Sequence, residues 1–220
     1  MDPSLNVGRW IGAAMLVDFA VGLVSNFKLQ GDLFAAEGFL GNAAAHPVTI
    51  GWIIVLGLFT GMLSVWVAAL LCQRFGRVHP VLAWTYFGLA AALLAVTLVE
   101  LSTLLVMRSL SEVYVASGSS GGPHVETAKA VVRGLRNGLH FGDQVLGGAS
   151  VFAFFLLLFR ARAVPAWLSG FGMLGALLQM AGVGPELFGG EVSYPMLAPL
   201  ALAYAATFVW LLIRGFPASD

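Results

Sequence analysis

The sequence predicts an all-α polytopic membrane protein, a single domain over 1–220 in which six transmembrane helices form a bundle and an amphipathic helix precedes the fourth on the outer side. Three observations carry this. Of the 220 residues 59% are hydrophobic and 10% charged, against roughly 25% charged residues in soluble domains. Apolar runs long enough to cross about 30 Å of hydrocarbon recur six times, at about 8–27, 47–72, 80–107, 138–160, 165–186 and 194–214. Two of the connections between them, "CQRFGRVHP" and "FRARAVP", are short and basic, as cytoplasmic loops are.

The first run follows Met1–Arg9, which has little basic character, and ends in "LVSNFKLQ" without a small-x-small cleavage site; a retained helix is expected rather than a signal peptide. The next stretch, 28–46, mixes acids with Phe and Leu and reads as a helix or loop lying at the membrane interface. Cys72, the only cysteine, excludes an internal disulfide and falls at a helix end, where packing is its expected role. The second and third runs meet at 77–94, "RVHPVLAWTYFGLAAALL", which resembles "RAVPAWLSGFGMLGALL" at 162–178. Either two hairpins form a parallel repeat, or both loops answer the same needs: Arg inside, Pro at the first helical turn, then Trp at the interface.

Ahead of the fourth run, "SGSSGGP" (117–123) reads as a flexible hinge. After it Val125, Ala128, Val132, Leu135 and Leu139 recur at helical spacing, with Glu126, Lys129, Arg133 and Arg136 on the other face. This predicts an amphipathic surface helix, which either caps the bundle or gates it.

With six crossings, one side collects Arg9, Arg74, Arg77, Arg160, Arg162 and Arg214. The other collects Lys28, Arg108, Lys129, Arg133 and Arg136 with the acids Asp32, Glu37, Glu112, Glu126, Glu186 and Glu191. Total basic counts barely differ, but orientation follows short loops near helix ends, so both termini are expected in the cytoplasm. The formal net charge of zero presents no polybasic surface for nucleic acid. The expected surroundings are the lipid bilayer and, on any remaining apolar face, other membrane subunits or a second copy.

Ionisable groups inside spans face the bundle interior or a water-filled cavity, because facing lipid costs several kcal/mol. Few exist here: Asp18 near the middle of the first run, Glu100 late in the third, Asp143 early in the fourth. Antiparallel third and fourth helices bring Glu100 and Asp143 to similar depth, about 9 Å outside the midplane at 1.5 Å per residue. Asn137, His140, Asp143, Gln144, Gly147 and Ser150 recur at steps of three and four and form one stripe. With His46, Gln179 and Glu186 in the same half, they predict a polar pocket opening outward.

Imidazole and carboxylate are ordinary donors for a divalent metal, which makes Asp18, Glu100, His140 and Asp143 candidate ligands. As an enzyme, the protein would activate water with Glu100 as the base. As a transporter, the same carboxylates would bind a proton or cation. As an accessory subunit, they would only bridge helices. A haem or pigment held by His140 is a further possibility, since one axial histidine suffices.

The segment "LLLFRARAVPAWLSGFGMLGALLQMAG" (156–182) and the closing "LAPLALAYAATFVWLLIRGF" (197–216) resemble the bacterial integral membrane family called domain of unknown function 4386. The matching positions are Arg160, Arg162, Pro165, Trp167, Leu168, Ser169, Trp210, Arg214, Gly215 and Phe216. Members often carry an Arg and a Glu where this chain has Gly88 and Ala91, and a Glu in the last helix where it has Tyr204. The resemblance implies a six-helix protein of the bacterial inner membrane and no particular activity.

Overall fold

The computed structural model describes residues 3–35, 38–118 and 122–217. Glu37 and the middle of the expected hinge at 117–123 lie outside them, and side chains are described from residue 6 onward. Among the described residues there are eight α-helices: α1 Pro3–Leu23, α2 Gln30–Leu33, α3 Gly38–Asn42, α4 Pro47–Phe75, α5 Pro80–Ala116, α6 Pro123–Arg160, α7 Ala166–Val183 and α8 Ala198–Arg214. Six stretches of the described residues are long and apolar enough to cross a membrane, so the bilayer is the protein's solvent. α4, α5 and α6 open on Pro47, Pro80 and Pro123, where a missing N–H costs nothing and the fixed φ suits a first turn.

Several boundaries differ from expectation, and α5 runs on to Ala116 rather than ending near 107. The first span does not stop near residue 27. Val24–Leu29 winds on as a π-helix, Gln30 N–H bonding the Ser25 carbonyl, and α2 completes a span running Asn6–Leu33. The amphipathic segment is likewise not a separate surface helix. It forms the first turns of α6, whose 38 residues reach roughly 57 Å, well beyond the hydrocarbon thickness. Between Val125 and Phe141 there is no proline, and Gly134 and Gly138 keep negative φ; nothing in that stretch stops a helix.

The lipid-facing surface is plainest on α4. Val48, Trp52, Val55, Phe59, Met62 and Trp66 are all exposed and follow one another at steps of three and four. This stripe runs roughly 27 Å along the helix, close to the thickness of the hydrocarbon it must face.

The chain divides into two compact units. One comprises 1–19, 61–94 and 141–220 around a core that includes Ile11, Leu71, Phe155, Leu158, Leu211 and Phe216. Small residues let its helices approach closely: a Cβ on Gly12 would stand 2.9 Å from Leu211 Cβ, and one on Gly175 2.8 Å from Leu200 Cα. Phe216 is fully buried and meets Phe75 edge to face at 5.2 Å. The two short turns of this unit are built differently. Between α4 and α5, His79 N–H returns to the Phe75 carbonyl. After α6, Ala163 N–H bonds Leu158 O and Arg162 N–H bonds Phe159 O, the paired closure that usually has glycine at its left-handed position. Here Arg162 occupies that position with φ 51°, at about 1–2 kcal/mol for a residue with a Cβ.

The other unit comprises 20–60 and 95–140, packed around Leu33, Phe39, Ile50, Leu101, Leu104 and Met107. Ser111, fully buried on α5, donates to Leu40 O at 2.7 Å and accepts from Ala44 N–H at 2.8 Å. One hydroxyl thereby satisfies a carbonyl of α3 and an N–H of the 3₁₀ turn after it, groups that would be costly to leave unpaired in an apolar setting.

Candidate functional site

The polar groups of the second unit gather where α5 and α6 face each other. Glu100 stands on α5 and His140 on α6, and His140 Nδ1–H donates to Glu100 Oε1 at 2.8 Å. The Glu100 side chain is 14% exposed and that of His140 30%, so this is a sheltered contact. One helical turn before His140, Arg136 points to the same side. Its guanidinium donates from Nη2 to Gln30 Oε1 at 2.9 Å, lies 4.7 Å over the Phe34 ring, and stands within electrostatic reach of Glu100. Arg136 Nε is buried without a hydrogen-bond partner.

Arg136 corrects the sequence reading, which set it on the solvated face of an amphipathic helix. The signal was its spacing: Arg136 precedes His140 by four residues and so continues the polar stripe backward along one face. Gln30 and Phe34, the groups that hold it, carried no such signal, because they arrive from the extension of α1.

The other expected pocket residues take the following places. Asp143 and Gln144 follow on the next turn of α6, in the part that belongs to the first unit, where the Gln144 carbonyl accepts from Gln179 Nε2 at 3.1 Å. His46 Nδ1–H donates to the Asn42 carbonyl at 2.7 Å; its ring thus braces the turn between α3 and α4. Glu186 stands half-buried in the 3₁₀ turn Gly184–Phe188 after α7.

Asp18 lies in the first unit, lining a cavity of about 10 Å³ with Ser64, Tyr86 and Tyr204 among apolar neighbours including Met15 and Phe154. That is about the space of one water. Neither tyrosine was expected as a partner. Tyr204 fills the place where the resemblance often puts a glutamate, and that place faces Asp18's cavity.

Metal chemistry finds no ligand set here. Among the described residues no three His, Cys, Asp or Glu side chains come together to hold an ion; Glu100 and His140 supply two donors, and Asp18 sits among tyrosines. No basic side chain pairs with Asp18 among the described residues, and an unpaired buried charge is expensive. Asp18→Asn, which keeps the shape and removes the charge, is therefore expected to leave the thermal midpoint of the detergent-solubilised protein unchanged or raised. A clear fall would show that an ionised Asp18 contributes stability.

These features define a six-helix integral membrane protein with sheltered polar clusters inside its helical units. The family model described as Domain of unknown function (DUF4386) matches residues 10–215, and the chain belongs to that family. Comparison with curated proteins and with solved structures finds no match.

Proposed function

We propose that the protein binds and translocates a small polar solute, in exchange with or together with a proton, in the bacterial inner membrane, with both termini cytoplasmic. The observation that carries this reading is the His140–Glu100 contact at 2.8 Å with Arg136 one turn away. Imidazole is the side chain that gains and loses a proton most readily at cellular pH. Ionisable groups kept at membrane depth mark solute pathways and proton relays. Glu100 accepts the imidazole N–H, and a competing donor from solute would displace that contact. Arg136 Nε, buried without a partner, offers a donor to an anionic or carbonyl group of the solute. A catalytic metal site usually has three protein donors, and the pair here supplies two, which favours solute binding over metal chemistry. The orientation rests on Arg74, Arg77, Arg160 and Arg162 in the two short turns.

The test has two arms. A C-terminal fusion to a fluorescent protein that matures only in the cytoplasm should fluoresce. In proteoliposomes holding a pH indicator, a panel of organic cations, amino acids and carboxylates should include solutes that drive proton movement in the wild type, and Glu100→Gln and His140→Gln should reduce that flux at least tenfold. Flux that is equal in the wild type and both variants, or a panel that drives none, would overturn the assignment.

A further inference from the structure

We infer that the first unit carries a second site, separate from the Glu100–His140 cluster, for a phosphate-bearing anion at the level of the lipid headgroups. A cavity of about 290 Å³ opens between the end of α4, the end of α6 and the residues following α8. Arg74, His79, Arg160 and Arg162 line it, with Phe216 and Pro217, and among the described residues no carboxylate takes part in the lining. This volume is at the low end of small-ligand sites and suits a headgroup-sized group. Guanidinium forks match phosphate oxygens in shape and charge.

Two details go beyond a general excess of arginine in short loops. Arg74 is held from one side, its guanidinium 5.6 Å over the Phe75 ring and Nη2 donating to the Pro217 carbonyl at 3.3 Å, while its Nε is buried with no acceptor. Arg162 keeps a left-handed backbone at a position where glycine would fit without strain. Strain that persists in this way points to use of the side chain it carries. Arg77 supplies the contrast. It belongs to the same turn as His79 but is exposed and does not line the cavity.

The depth of the cavity follows from its neighbours. Trp84, one turn into α5, and Trp167, the second residue of α7, are 61% and 66% exposed, and exposed tryptophans near helix ends sit at the membrane–water interface. The turns leading into those helices, which carry His79, Arg160 and Arg162, therefore lie where lipid phosphates are. A phosphate reaching this cavity belongs either to an anionic lipid or to a soluble ion from the adjoining aqueous phase.

The experiment uses the full chain in detergent and follows its thermal midpoint against short-chain phosphatidylglycerol, with phosphatidylcholine of the same chain length as reference, and against inorganic phosphate, with chloride at matched ionic strength. Phosphatidylglycerol is expected to raise the midpoint more than its reference. The concentration needed should rise at least tenfold in Arg162→Gly and Arg160→Gln, and less than twofold in Arg77→Gln. Arg162→Gly relieves the backbone, so loss of binding there cannot be laid to misfolding. The same pattern with inorganic phosphate would support the site and assign it to the soluble ion. Equal effects of each anion and its reference, or an Arg77→Gln loss as large as that of Arg162→Gly, would overturn the site.

Discussion

Gly175→Ala is expected to lower the stability of the protein by about 1–3 kcal/mol, the usual range for forcing atoms into a filled interior, and Gly175→Leu to prevent accumulation of folded protein. The reason is where the added atom would land. A Cβ at Gly175 meets Leu200 Cα at 2.8 Å and Leu200 N at 2.9 Å. These are backbone atoms of α8, and no rotamer change moves them aside, so the helix itself must shift. In a membrane the contact between helices rests on such close packing, because lipid tails are as apolar as the side chains they replace. At 220 residues, each kcal/mol displaces the midpoint by about 2–4 °C. Gly170 provides the control on the same helix, since a Cβ there meets nothing within 4 Å; Gly170→Ala should leave the midpoint unchanged or raise it, alanine being about 1 kcal/mol the better helix former. Thermal unfolding of the two alanine variants beside the wild type, with the yield of folded Gly175→Leu, decides it. Equal midpoints for Gly175→Ala and Gly170→Ala would mean that α7 and α8 are not in backbone contact at Leu200.

The glycines that set this contact look no different in the sequence from Gly170, which shows how far the chain could be read. Hydropathy located all six spans, and the prolines at 47, 80 and 123 stand at observed helix starts. Composition reports apolar character, however, and not helix continuity. The start of α6 lies at Pro123 rather than near 138 because a charged segment can be as helical as an apolar one. Rise per residue matches Glu100 in depth with Asp143, and the contact the structure shows is with the imidazole of His140, three residues earlier. What periodicity cannot supply is the identity of partners from distant segments. Gln30 reaches Arg136 across 106 residues, and Tyr86 and Tyr204 come to Asp18 from two other helices. His46 shows the converse: a histidine counted toward the pocket is taken up by a local carbonyl four residues back.

The partnership that distance hid also makes the second large effect. Glu100→Leu is expected to cost about 2–4 kcal/mol, somewhat below the roughly 3–5 kcal/mol for breaking a fully buried charge pair, because His140 retains 30% exposure. Removing the carboxylate takes the Glu100 acceptor from His140 and a favourable negative charge from the sheltered Arg136 guanidinium. The cost therefore lies chiefly in what is left behind, and it should shrink when that is removed as well. The double variant Glu100→Leu/Arg136→Leu takes both charges out, and apolar replacement of a whole buried pair is often neutral or favourable. Its midpoint should exceed that of Glu100→Leu alone, with a coupling of at least about 1 kcal/mol between the two positions. Adding His140→Leu to Glu100→Leu should likewise cost less than His140→Leu costs in the wild type, since the contact between the two side chains is by then already gone. Denaturant titration in a single detergent across both cycles gives the coupling energies. Strictly additive losses would separate the three residues energetically, and Glu100, Arg136 and His140 would then no longer count as one site.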